Sequence, residues 1–550
     1  MSVAVANPKR TSSEIVSIPH VILVALGIVV GLQLHLVFVK TINWDELWHY
    51  SLITASVRGE EVQFLQTPFV PLFSWVTHLA IPTLDQIIFI RTFILVFQVV
   101  TVWGIYVAAR RFASVHVSLL CGLTYLTAGY AFTNGFALRA DVIAAALLMS
   151  ALALGLRGRV NLINCGLLFA LLVLAVLSTI KSVLWAPCFL GAILLRKREL
   201  SIRPSRGLKI AGAAIVCFAL STFFFIFGGE TADYVSETLT SSAQRMFTAG
   251  LFPQGRYLLK QVLLAPLFAL LVIVFIVWLI RGEGTKSTKL TLALLAAPLL
   301  SVAFYRNAFP YYFTFLLPPV AIALAPVIEQ VAKRYGTVGV CAMLTLNAVA
   351  LWFAEPREPL GDQRLFQQQL RAVFPEPVYF IDECGVLGDY PRAVLGFASG
   401  WALSDYLAEG RPLYSRALEE NPVPLLIKNS LALHNVFAAD PKGDRLLPED
   451  EKTLRNNFIE HSGMIYVAGK TIPAQSSLVD EYVAVPGLYS VEVNALTIDE
   501  KVYPVGTQVN LERARYSIVN SGQGSASLRW AKAGKPTASN LTVSDLFTDY

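Results

Sequence analysis

About eleven apolar runs of roughly bilayer thickness occupy residues 20–39, 86–108, 114–133, 141–156, 161–179, 183–195, 208–228, 260–280, 289–304, 312–328 and 336–353. A helix needs roughly 20 apolar residues to cross about 30 Å of hydrocarbon. Backbone groups find no water there, so such runs fold as helices. The composition agrees. Only 15% of the 550 residues are charged, against about 25% in soluble domains, and the mean hydropathy is +0.57. The expected fold class is an α-helical polytopic membrane protein. The run at 20–39 follows Lys9 and Arg10, is longer than a signal-peptide core and lacks a small-residue cleavage site, so it reads as a retained span.

The cations between the runs set an orientation. Lys9/Arg10, Arg110/Arg111, Arg157/Arg159, Arg196/Lys197/Arg198, Arg281/Lys286/Lys289 and Lys333/Arg334 fall in alternate connections. The positive-inside rule makes those connections cytoplasmic. The amino terminus is then inside and everything after about residue 354 outside, which suits a bacterial inner membrane with a periplasmic C-terminal region. The net charge of +6 is spread among the runs rather than gathered on one stripe, so nucleic acid is not an expected partner. Five of the six cysteines sit in apolar runs, and the six form no disulfide framework.

The composition changes after Phe353. Residues 1–353 form the expected membrane domain, 354–462 an extracytoplasmic α/β region, 463–535 a β-sandwich-like region and 536–550 a flexible tail. Residues 377–382 read as a buried strand. Short alternating runs at 464–468, 481–485, 489–493, 508–511, 516–519 and 527–530, parted by turn signals such as Pro486-Gly487, have the pattern of a small sandwich.

The chemistry gathers in the other set of connections. The first external loop, 41–85, carries Asn43-Trp44-Asp45-Glu46-Leu47-Trp48-His49-Tyr50 and is broken by Pro68, Pro71 and Pro82. Interfacial anchors use Trp and Tyr but have little need of an acidic pair beside them. Two readings fit: an acid or base at the lipid–water boundary, or a solvated acidic loop. The remaining external connections hold Arg139 and Asp141, Lys181, Arg245 and Arg256, and Arg306 with Tyr311 and Tyr312. Cations on this side oppose the orientation rule, and charged groups at the edge of a membrane helix usually face a cavity or a partner. A few acids and cations around one cavity would suit an anionic substrate. A segment at 238–247 has the mixed polarity of an interfacial helix.

The acid pair in the first external loop of a polytopic chain resembles the GT-C superfamily of glycosyltransferases. Within it, the pattern is similar to the branch of protein O-mannosyltransferases and lipid A aminoarabinose transferases. Leu138-Arg139-Ala140-Asp141, Ser178-Thr179-Ile180-Lys181 with Pro187, and Arg306-Asn307-Ala308-Phe309-Pro310-Tyr311-Tyr312-Phe313 with Pro318-Pro319 resemble further elements of those proteins. The likeness covers roughly residues 20–330. It implies a GT-C-like fold and inverting transfer of a sugar from a polyprenyl-phosphate donor to a glycolipid, lipopolysaccharide or other glycan acceptor, beside membrane lipid on the non-cytoplasmic face. Asp45 would then be the general base, Glu46 a carboxylate that either supports the site from behind or orients the acceptor, and Asp141 the alternative base. Lys181, Arg245, Arg256 and Arg306 would be the phosphate partners. Arg139 would pair with Asp141 or Asp45, and Tyr311 and Tyr312 would meet phosphate or line the lipid entrance. The chain departs from the pattern at Leu65-Gln66-Thr67-Pro68, where many relatives have a basic residue before the proline.

Some relatives bind a divalent metal. Asp45 and His49 are four apart, so on a helix they share a face and could ligate one; the other reading of His49 is an interfacial hydrogen-bonding residue. His434 and His461 lack ligand-like spacing. Trp401 and Trp530 are candidate sugar platforms or core residues. Asp382-Glu383-Cys384 has no Ser or His arrangement to make it a hydrolase site. The competing classes are a transporter or flippase of a lipid-linked or anionic substrate, and a scaffold that presents the outer region. A transport site belongs near the bilayer midplane, often in repeated halves, whereas these charges lie at one face.

Overall fold

A computed structural model describes residues 12–60, 69–159, 161–200, 250–357, 359–394, 400–536 and 546. The run at 208–228, the segment at 238–247, Arg245 and the Leu65-Gln66-Thr67-Pro68 stretch lie outside these residues. The chain forms two compact units. One comprises Met1–Phe38, Gln63–Leu72 and Ile88–Glu355, the other Val39–Val62, Phe73–Ile87 and Pro356–Tyr550.

The first unit is helical: α1 (Ser12–Val39), then, after the loop helices α2 (Trp44–Val57) and α3 (Phe69–Phe73), α4 (Thr83–Ala109), α5 (Val115–Leu126), α6 (Tyr130–Asn134), α7 (Ala140–Arg157), α8 (Leu162–Ser178) and α9 (Ala186–Leu200). It continues with α10 (Gly255–Leu264), α11 (Pro266–Arg281), α12 (Lys286–Ala296), α13 (Pro310–Ala323), α14 (Ala325–Tyr335) and α15 (Thr337–Ala354). Five helices among the described residues are long and apolar enough to cross a membrane, or up to seven if each of two bent pairs is one span. The chain is thus a multi-pass membrane protein. Helix α13 is buried on every side, as befits a central helix.

The run at 208–228 lies outside the described residues; among the others, several departures from unbroken spans have physical causes. The bends fall beside prolines, which lack an N–H and disfavour helix before them. Helices α10 and α11 meet at 101° just ahead of Pro266, and α13 and α14 at 66° near Pro326. The run at 114–133 breaks between α5 and α6, where Gly129 takes φ +50° and a Cβ would strike the Gln261 side chain. Carbonyls freed by the break need donors, because no water reaches them in lipid. Buried amides supply them. Gln98 Nε2 donates to Ala131 O at 2.7 Å, Gln33 Nε2 to Phe132 O at 2.8 Å, Asn347 Nδ2 to Thr127 O at 2.9 Å and Gln261 Nε2 to Ala128 O at 3.2 Å. The run at 183–195 begins instead as a 3₁₀ turn, Ile180–Trp185, leading into α9.

The second unit contains α2, the start of α4, and everything from α16 (Pro359–Val373) onward. Two sheets share one buried apolar cluster that includes Val491, Leu528, Ile498 and Ile518. In the seven-stranded sheet, β1 (Phe380–Ile381) lies parallel to β2 (Leu425–Ile427). Strand β4 (Ile465–Ile472) holds β2 and β3 (Phe458–Ser462) along its first half and β11 (Ala526–Trp530) along its second. Strands β6 (Gly487–Glu492) and β9 (Gln508–Leu511) complete that sheet. The smaller sheet runs β5 (Ser476–Tyr482), β10 (Arg515–Asn520), β7 (Leu496–Ile498) and β8 (Lys501–Tyr503). Strand β4 therefore joins strands from both sides of residue 463.

Candidate active site

Asp45 and Glu46 open α2, and local chemistry explains why a helix starts there. Asn43 is the N-cap: its Oδ1 accepts from Glu46 N at 3.1 Å, while Glu46 Oε2 accepts from Asn43 N at 3.2 Å. This reciprocal box satisfies two backbone donors that a helix start otherwise leaves orphaned. The Asn-x-x-Glu spacing was the signal for it in the sequence. Glu46, fully buried, is thereby engaged as a cap, and Asp45 stands half-buried in the first turn, where the helix dipole favours an anion. His49 is buried one turn further on, edge-to-face with Trp48 at 5.0 Å. Asp45 and His49 do share a face of α2. Among the described residues no group of three or more His, Cys, Asp or Glu gathers to hold a metal, so this pair falls short of a protein-held divalent site.

The first unit holds a second constellation, and it unites four of the candidates. Arg139 is the extended N-cap residue of α7 and Asp141 sits in that helix's first turn. Lys181 is carried by the 3₁₀ turn after α8, and Tyr311 by the first turn of α13. The Asp141 carboxylate, 2% exposed, accepts from Lys181 Nζ at 2.6 Å on one oxygen and from Arg139 Nε at 3.4 Å on the other. The Arg139 guanidinium lies 3.2 Å from the centroid of the Tyr311 ring, and Lys181 Nζ lies 4.9 Å from it. The ring face attracts both cations. Two cations thus meet on one buried carboxylate, in a low-dielectric setting where charge acts strongly.

The other candidates are placed differently. Tyr312 shares a 2.5 Å hydrogen bond with Ser301 Oγ and packs on Tyr305. Arg306 lies in the turn before α13, and its carbonyl accepts from Gln254 Nε2 at 3.1 Å. Arg256 is exposed on α10, with Nη2 donating to the Tyr257 hydroxyl at 2.8 Å. Tyr257 packs on Phe309, and Phe309 on Tyr311. Lys260, which the sequence did not single out, stands 6.0 Å from the ring of Tyr130. In the second unit, Asp382 is committed to structure. It pairs with Arg392 at 3.0 Å and accepts from the backbone of Gly385 and Val386. Burial pushes the Glu383 carboxyl well above the usual carboxylate range and lowers the affinity of His461 for its proton.

No protein family matches the chain, and no curated protein matches it. Solved structures do. ArnT from Cupriavidus metallidurans bound to undecaprenyl phosphate superposes with a TM-score of 0.52 at 13% identity, over 77% of this chain and 96% of that one. Apo ArnT from the same organism gives 0.47 at 13% identity, over 74% and 92%. The archaeal oligosaccharyltransferase AglB from Archaeoglobus fulgidus, in complex with an inhibitory peptide and a dolichol-phosphate, gives 0.45 at 11% identity, over 93% and 96%. ArnT and AglB are GT-C superfamily members. At this identity the likeness to ArnT is one of fold, and it is the GT-C type of fold that the loop pattern led us to expect.

Proposed function

We propose that the chain is an integral-membrane glycosyltransferase that moves a sugar, with inversion, from a polyprenyl-phosphate donor to a glycolipid or other glycan acceptor on the periplasmic face. In this reading the chain crosses the membrane eleven times and its C-terminal region, 354–462 with 463–535, is periplasmic. The observation that carries the proposal is the buried Arg139–Asp141–Lys181–Tyr311 group at the end of a membrane helix. The acceptor hydroxyl gives its proton to the Asp45 carboxylate and attacks the anomeric carbon from the face opposite the phosphate. As the new carbon–oxygen bond forms, the bond from carbon to phosphate oxygen breaks and the lipid phosphate leaves with the electron pair. Arg139 and Lys181 offset the charge that develops on it. Asp141 aligns those two cations; with both oxygens engaged it is the poorer proton acceptor.

The bent helix pairs and the α5/α6 break are the features that favour a transporter, whose sites use interrupted helices. Asp141 and its partners, however, sit at a helix end rather than at mid-span. The test is sugar transfer by purified protein in detergent, given a polyprenyl-phosphate-sugar panel and a membrane glycolipid extract. The expected result is transfer by wild type and none by a folded, lipid-binding Asp45→Asn protein. A wild type that transfers nothing, yet moves lipid-linked sugar across a vesicle membrane, establishes the transporter instead.

A further inference from the structure

We propose that Gln363 is a positioning residue for Asp45, acting through the N-cap of α2, and that Leu546 is part of the same clamp. The proposal rests on the transferase reading above. Gln363, 4% exposed on α16, uses every proton of its amide. Its Oε1 accepts from Ile42 N at 3.1 Å, and its Nε2 donates to Ile42 O at 2.7 Å and to Leu546 O at 2.8 Å. Ile42 directly precedes the N-cap Asn43. The two-sided grip fixes the peptide planes on both sides of Ile42, the second of which carries the Asn43 N–H of the capping box, and Asp45 is the second residue of the helix that box starts.

A buried amide that bonds both the N–H and the C=O of one residue acts like a strand neighbour, but for that residue alone. Losing it would leave two buried backbone groups unsatisfied, which is costly. Leu546, fully buried, sets its carbonyl on the same amide. The far side of α2 is held as well. Arg392 Nη1 reaches Ser51 Oγ at 3.4 Å, and Gly385, at φ +80°, lies so close that a Cβ would strike Ser51. Gln363 thus holds the residue just before the N-cap, at the end of α2 that carries the acid.

The experiment uses the full-length protein with two variants, Gln363→Leu and Leu546→Asp, and two readouts. One is hydrogen exchange at the Glu46 and Leu47 amides, which needs no substrate. The other is transfer kinetics with the donor found active for wild type. Gln363→Leu is expected to speed exchange at those amides about tenfold or more while β4 keeps wild-type protection. It should lower kcat roughly tenfold to a hundredfold, the scale of a small misplacement, with donor KM within about twofold. Leu546→Asp should do the same to a smaller degree, because the Ile42 pair survives. Wild-type exchange at Glu46 and Leu47 in both variants, with transfer intact, overturns the proposal and leaves the transferase reading standing. Absence of wild-type transfer overturns the transferase reading and the catalytic part of the role; exchange then decides whether Gln363 holds the cap. If Gln363→Leu also loses β4 protection it has unfolded, and Leu546→Asp decides.

Discussion

Asp45 and Asp141 hold the same place in two different helices: each is the second residue after an N-cap. Their surroundings differ in kind. At α2 the cap is a neutral asparagine locked to Glu46, and Asp45 is half-buried. At α7 the cap residue is itself an arginine, a lysine lies on the other carboxylate oxygen, and Asp141 is buried. In the proposed reading one helix position serves two roles: Asp141, engaged by two cations, organises charge, and Asp45 takes the proton.

The largest expected effect is at Asp45. Its replacement by Asn should lower kcat by about 10²- to 10⁴-fold, the worth of a general base, with donor binding unchanged; a steady-state series with a binding control checks it. Next comes Lys181→Met, which removes one cation and should raise donor KM by roughly tenfold or more, read from the same series. Asn43→Ala should cost about 1 kcal/mol and lower the melting temperature by a few degrees, while Asp141 chemistry is untouched. The smallest effect concerns Glu383. Its folded-state affinity for a proton is raised by burial, so the stability it contributes is full below the ordinary carboxylate range and lost as pH rises toward the raised value. Glu383→Gln should therefore raise the melting temperature near pH 7 and leave it unchanged near pH 4, which a pair of thermal melts would show.

Much of this was legible before any coordinates. Hydropathy located the helical region, because lipid leaves the backbone few options. Cations in the connections expected to be external, placed against the orientation rule, picked out Arg139 and Lys181, and the structure brings both onto Asp141. What the sequence did not show was long-range. The break at Gly129 is made tolerable by amides 33 to 220 residues away, and no local pattern announces such partners. Gln363 was equally silent, since a Gln on an amphipathic helix reads as surface until Ile42, 321 positions earlier, is seen against it. Strands β7 and β8, three residues each, were too short for an alternating pattern. Glu46 was read as supporting the site from behind or orienting the acceptor; its engagement in the cap was a further contact that the reading did not include.

The comparison of the two acids is tested most directly by Asp45→Asn and Asp141→Asn side by side, with lipid-phosphate binding and sugar transfer measured in the same detergent. The account predicts that Asp45→Asn binds the lipid phosphate and fails to transfer, and that Asp141→Asn binds it poorly because its two cations are no longer aligned. The opposite pattern, with Asp141→Asn binding normally but inert and Asp45→Asn still active, would make Asp141 the base and contradict the account.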